Sequence, residues 1–195
     1  GNSIQLKIFD KQAEVTEDTK LRVAFLGDKP LGVRCLETLI GYSNVDVVAV
    51  VCRSKNEKSW WHSPRNRRLI DVVEEIGLTR VSQENLLDYD IDLAISVLYY
   101  KIIDEQLINH LEGQIVNLHA APLPEYRGLN SHSHAIINGE TEYGVSLHMI
   151  DTGVDTGPII DVKRFDISPD LTARELHDLA QDHAFTLFVE QLPVL

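Results

Sequence analysis

The chain has 195 residues, 44% of them apolar, the size of one domain with a core of its own. Thirty Asp and Glu against eighteen Lys and Arg leave a formal charge of −12, which disfavours extended contact with a phosphate backbone. No run approaches the roughly 18 apolar residues of a membrane span.

Residues 1–20 are mostly polar and aperiodic, and read as an extension carrying one short strand at IQLKIF. The start GNSIQLKIFDKQ has neither the basic region nor the apolar core of a secretory leader, so a cytoplasmic, membrane-free protein is expected. The first residue is not Met and the chain stops abruptly at QLPVL, which leaves a further domain open. Cys35 and Cys52 lack CxxC spacing and read as buried packing residues in a reducing compartment.

One domain is expected over 21–195. LRVAFLG (21–27) is a short apolar run ending in Gly. Pro30 and helical spacing at Val33, Leu36, Leu39 and Ile40 follow, predicting strand, turn and helix. VDVVAVVC (45–52) is β-branched and apolar nearly throughout, the pattern of a parallel strand covered on both faces. A polar stretch with Trp60 and Trp61 leads into helical spacing from Leu69 to Ile76, then IDLAISVL (91–98) supplies another buried strand. A short helix over 104–111 precedes QIVNLH, and beyond it come a helix near 131–138, strands at 143–150 and 158–166, and a closing helix over 171–190. Short buried strands alternating with longer helices imply right-handed βαβ units: an α/β, Rossmann-like, open and mostly parallel sheet with helices on both faces.

In such a sheet ligands bind outside the carboxyl ends of the strands, which is where Asn117 and His119 of NLHAAPLPEYRG fall. Residues two apart on a strand share a face, so the amide and the imidazole can converge on one atom while Pro122 and Pro124 turn the chain away. Taken alone, the pair is equally a structural histidine beside a turn-capping amide. HMIDTGVDTGPII (148–160) offers a partner, since its two Asp-Thr-Gly triplets place Asp151 and Asp155 on irregular backbone; alone, those triplets are ordinary turn sequences. Together the groups suit acyl transfer to an amine. Asn117 can donate to the developing oxyanion, His119 can take the amine proton or share the charge, and Asp155 can orient His119.

NLHAAPLPEYRGLNSHSHAIINGETEYGVSLHMIDTGVDTGPII resembles the signature region of the folate-dependent formyltransferases: Asn-x-His, LPxYxG, NGxxxxGV, then a D-x-G-x-D loop. The similarity extends over 21–190 and is most specific over 91–160. It implies a formyltransferase with N10-formyltetrahydrofolate as donor and with Asn117, His119 and Asp155 as catalytic groups. It also implies a folate site on Lys101, Ile102, Ile103, Ile108 and Ile115 and the loop Asp151, Thr152, Gly153 and Val154. The same isoleucines read equally well as core. Arg127, Gly128 and His148 are expected at the acceptor, His148 lining the site.

The acceptor stays open among several amines, with a nucleotide-linked amino sugar first. Trp60, Trp61 and Arg65, with Arg67 and Arg68, can stack on a base and hold a diphosphate, or RNRR is a solvated helix face. GDKPLG places Asp28 where the purine-synthesis members bind a phosphate, against a glycinamide ribonucleotide acceptor, although GLNSH echoes those members. The methionyl-tRNA members add a basic C-terminal β-domain not included in these 195 residues, so that acceptor is expected only if the sequence is part of a longer chain. A folate-binding module without turnover is a further alternative. His132, His134, His148 and His119 match no ligand spacing, so no metal is expected. Small-molecule partners are expected, and a homodimer is allowed for.

Overall fold

The structure, a computed structural model, describes residues 20–57 and 66–195. The expected strand at IQLKIF and the residues Trp60, Trp61 and Arg65 lie outside the described residues.

Six strands form one sheet in the order β2-β1-β3-β4-β5-β6: β1 (Leu21–Gly27), β2 (Val45–Val51), β3 (Leu93–Val97), β4 (Ile115–His119), β5 (Glu142–Met149) and β6 (Ile159–Asp166). The first four run parallel, whereas β4 pairs with β5 and β5 with β6 antiparallel. All five residues of β3 are buried, as expected of a central strand covered on both sides. β6 has no fully buried position, only half-buried and exposed ones, as expected of the strand at the sheet's edge.

The helices are α1 (Lys29–Ile40), α2 (Leu69–Glu75), α3 (Glu105–His110), α4 (Ser131–Asn138) and α5 (Ala173–Gln191). α1 buries Leu31, Val33, Cys35, Leu36 and Leu39 at three-to-four-residue spacing, and Gly41 follows its last turn. These side chains meet α2, α5 and one sheet face in the larger apolar cluster. Burying a leucine such as Leu36 is worth roughly 2–3 kcal/mol, and Leu36→Ala would cost about 2–5 kcal/mol once the cavity is included. α5 opens on a reciprocal capping pair, in which Thr172 Oγ1 accepts the Glu175 N–H and Glu175 accepts the Thr172 N–H.

A second cluster covers the opposite face and contains Ile103, Leu107, Ile108, Leu111 and Ile115, with Ile150 packed against it. It brings the segment after β3 and the loop after β5 over the same side of the sheet. Among the described residues, no helix is long and apolar enough to cross a membrane.

Candidate active site

β4 is the hinge of the site because it pairs parallel with β3 on one side and antiparallel with β5 on the other. Asn117 stands opposite His148 and His119 opposite Ser146, so the two β4 side chains share a face with two β5 side chains. Ser146 is fully buried and folds the chain back after β4: its Oγ donates to Ala121 O and accepts the Leu123 N–H, each at 2.8 Å. The Tyr126 hydroxyl donates to Glu140 at 2.7 Å, which ties the returning loop to the end of α4.

The loop brings the Tyr126 carbonyl 2.9 Å from His119 Nε2. A carbonyl only accepts, so that nitrogen carries the proton and Nδ1 carries the lone pair. Nδ1 faces Asp155 Oδ2 at 3.8 Å, and Asp155 Oδ1 lies 3.6 Å from His148 Nε2. The Asp155 side chain is 17% exposed and therefore sits between two imidazoles rather than in solvent. Gly128, at φ +78, donates its N–H to Asp155 Oδ2 at 2.9 Å. His148 is 1% exposed; burial lowers its pKa, against smaller opposing effects of the Met149 carbonyl and Asp155. Asn117 Nδ2 lies 3.1 Å from His148 Nε2.

Asp155 itself is in the left-handed region, at φ +51. Asp151 holds the loop in that shape: its Oδ1 accepts the Gly153 N–H at 2.9 Å and the Thr156 hydroxyl at 2.6 Å. The Thr156 bond keeps the Asp151 carboxyl below the usual range. The two Asp-Thr-Gly triplets thus divide the work, the first bracing the turn and the second aiming a carboxylate inward. Gly157 closes the loop where a Cβ would lie 1.9 Å from Met149 O, and Met149 N–H donates to Pro158 O at 2.8 Å.

The expected folate residues divide by environment. Ile103, Ile108 and Ile115 are buried in the second cluster. Ile102 is 83% and Val154 64% exposed, Lys101, Thr152 and Gly153 are exposed, and the Gly153 N–H is already taken by Asp151. Ile102 and Val154 are thus apolar side chains left in water, on segments that lie over the same side of the sheet. Arg127 is exposed beside Gly128.

Arg67 pairs with Glu37 and Glu75 and Arg68 with Asp71, so these two arginines, just before α2, are met by carboxylates of the fold. At the end of β1, Asp28 is 4% exposed and accepts from Arg53 Nε at 2.9 Å, and the Arg53 guanidinium lies 4.0 Å from the Tyr100 ring centre. Its charge is met inside the fold. In the turn itself the Asp28 N–H goes to Val97 O and Pro30 has none, so neither position offers a backbone donor to a phosphate. Among the described residues, no group of three or more potential ligands converges on a metal position.

Sequence reading missed Ser146, the Tyr126 carbonyl and the Arg53–Asp28–Tyr100 contact. Ser146 was within reach, since it stands two residues before His148 on one strand. The other two depend on distant segments meeting.

Residues 21–192 match the family described as Formyl transferase. The chain belongs to the formyl transferase family. It is 33% identical over 165 residues to the methionyl-tRNA formyltransferase of Sorangium cellulosum, covering 80% of this chain and 52% of that protein. With the Finegoldia magna enzyme of the same name the identity is 25% over 172 residues, covering 82% and 54%. The chain thus spans about half the length of these curated relatives. Among solved structures it resembles an N-formyltransferase from Helicobacter canadensis in complex with folinic acid and dTDP-3-aminofucose. There the TM-score is 0.75 at 25% identity, over 89% of this chain and 63% of that one. A phosphoribosylglycinamide formyltransferase from Streptococcus pneumoniae shares the fold, with TM-score 0.72 at 22% identity over 90% and 98%.

Proposed function

We propose that this chain transfers a formyl group from N10-formyltetrahydrofolate to a primary amine, and that the amine belongs to a nucleotide-linked amino sugar. The observation that carries the reading is the Asp155 carboxylate held between His119 and His148, with the Asn117 amide beside them. When bound, the donor supplies an activated formyl carbon on an amide-like nitrogen. Ile102 and Val154 would flank its ring, and the backbone of 101–103 and 151–154 would edge it.

The acceptor nitrogen forms a bond to the formyl carbon, the bond from that carbon to the donor nitrogen breaks, and one proton passes from amine to donor nitrogen. Asn117 donates an N–H to the carbonyl oxygen as charge gathers there. His119 can accept a proton only at Nδ1, because Tyr126 holds Nε2–H, and a proton on Nδ1 faces the Asp155 carboxylate at once. Asp155 therefore stabilises the imidazolium, while the Tyr126 carbonyl keeps the neutral ring in the tautomer that can accept a proton.

The amino-sugar preference rests on three points. The resemblance to the Helicobacter canadensis structure covers most of this chain. Asp28 and Pro30 in the β1 turn offer no backbone N–H to a ribonucleotide phosphate. The charge of −12 disfavours gripping tRNA, while the sequence likeness to methionyl-tRNA formyltransferases makes that acceptor the second reading.

The test is release of free tetrahydrofolate, followed by absorbance, with dTDP-3-aminofucose, methionyl-tRNA and glycinamide ribonucleotide offered separately. Turnover with the amino sugar is expected, lowered on the order of a hundredfold in Asn117→Ala and His119→Ala with donor affinity intact. Tight folate binding without turnover on any amine would mean a binding module instead.

A further inference from the structure

We infer that His148 is a positioning residue which acts through Asn117, fixing the nitrogen end of that amide towards itself so that the second N–H of the same nitrogen is left for the reacting oxygen. The inference deepens the reading above and rests on it.

The chain of contacts leaves one assignment. His148 Nδ1 is 2.8 Å from Met149 O, and a carbonyl can only accept, so the proton sits on Nδ1 and Nε2 presents a lone pair. That lone pair is 3.1 Å from the Asn117 amide. Were the amide turned over, its oxygen would face a second lone pair. The tautomer of one buried ring therefore decides which end of Asn117 points where. The cross-strand register enforces the approach, since Asn117 and His148 are direct partners in the β4–β5 ladder.

The arrangement is sensitive to a proton on Nε2. Protonated His148 would become a donor at that atom, lose the Asn117 bond and turn to Asp155 Oδ1, 3.6 Å away. The titratable groups that face it are Asp155 and Asp151 on the loop after β5 and His119 on β4, whose ring stands at 89° with centroids 6.1 Å apart. Burial keeps the ring neutral at ordinary pH.

Two conservative variants separate positioning from packing. His148→Gln can place an amide oxygen where Nε2 was and still accept from Asn117. His148→Asn can reach Met149 O but has nothing at the Nε2 position. With dTDP-3-aminofucose and N10-formyltetrahydrofolate, we expect kcat to fall on the order of thirtyfold or more in His148→Asn and within about fivefold in His148→Gln, with KM for the donor unchanged in both. In an Asn117→Ala background, His148→Asn should cause no further loss. Equal kcat in the two His148 variants, or additive losses in the double variant, overturns the inference while leaving the formyl-transfer reading standing. Turnover that survives Asn117→Ala overturns both. A readout independent of acceptor and of variant folding is the side-chain amide resonance of Asn117 in the unaltered chain. It should shift as pH is lowered through the titration of His148, and an amide signal indifferent to that titration also overturns the inference.

Discussion

Acid should destabilise this fold through His132, and the size of the effect can be worked out. The ring stacks edge-on against His177, centroids 4.9 Å apart, and its Nε2 is buried with no hydrogen-bond partner among the described residues. Burial first, and the neighbouring His177 and His119 after it, push its pKa down from 6.5 to about 4. A base whose folded pKa lies below its unfolded value takes up its proton first in the unfolded chain. The stability it supports is whole above about pH 6.5, falls as pH drops through that value, and stops falling below about pH 4. Between pH of about 7.5 and about 4.5 this one group removes about 2.5 kcal/mol. His132→Phe keeps the aromatic packing and abolishes the titration. Urea unfolding at both pH values should show the drop in stability about 2.5 kcal/mol smaller in the variant, all other groups titrating alike. An identical drop in both proteins would refute the reasoning.

Three further outcomes probe the frame of the site. Ser146→Ala strands the Leu123 N–H and the Ala121 carbonyl in the interior, and thermal unfolding should show a loss of about 2–4 kcal/mol; a loss below about 0.5 kcal/mol would mean the loop is held some other way. Gly157→Ala puts a methyl on the Met149 carbonyl, so the loop must move and carry Asp155 with it. Turnover should collapse while stability falls by only about 1–3 kcal/mol, and normal turnover would show that the loop tolerates the shift. Asp155→Asn should lower turnover on the order of a hundredfold, whereas Asp151→Asn, whose oxygen can still accept both turn bonds, should cost less than about tenfold. The reverse order would exchange the two roles.

How far the fold could be read from the chain follows from what sets each element. β2 and β3 are legible because a strand covered on both faces must be apolar at nearly every position. α1 is legible because Val33, Leu36, Leu39 and Ile40 recur at helical spacing and Pro30 and Gly41 mark its ends. Boundaries slip by a residue or two where propensity is silent: IDLAISVL spans 91–98 while β3 is Leu93–Val97, because Ile91 and Asp92 sit at the strand's entry. The change from parallel to antiparallel at β4 leaves no local trace, since it depends on α4 packing beside α5 and on the β5–β6 hairpin.

The site divides the same way. Asn117 and His119 lie on one strand, so their common face follows from a period of two, and the turn-forming character of the two Asp-Thr-Gly triplets is local chemistry. Which aspartate turns inward is not local. Asp151 and Asp155 sit in identical triplets, and only the approach of Gly128 and the two imidazoles distinguishes them. Likewise, the tautomers of His119 and His148 are set by the carbonyls of Tyr126 and Met149, one of them seven residues away across a folded-back loop. Sequence alone determined which residue types were present and which shared a strand face, because backbone geometry repeats over short distances. The tertiary structure decided which nitrogen faces which oxygen, because a proton's position on an imidazole depends on atoms that only the folded chain brings within 3 Å.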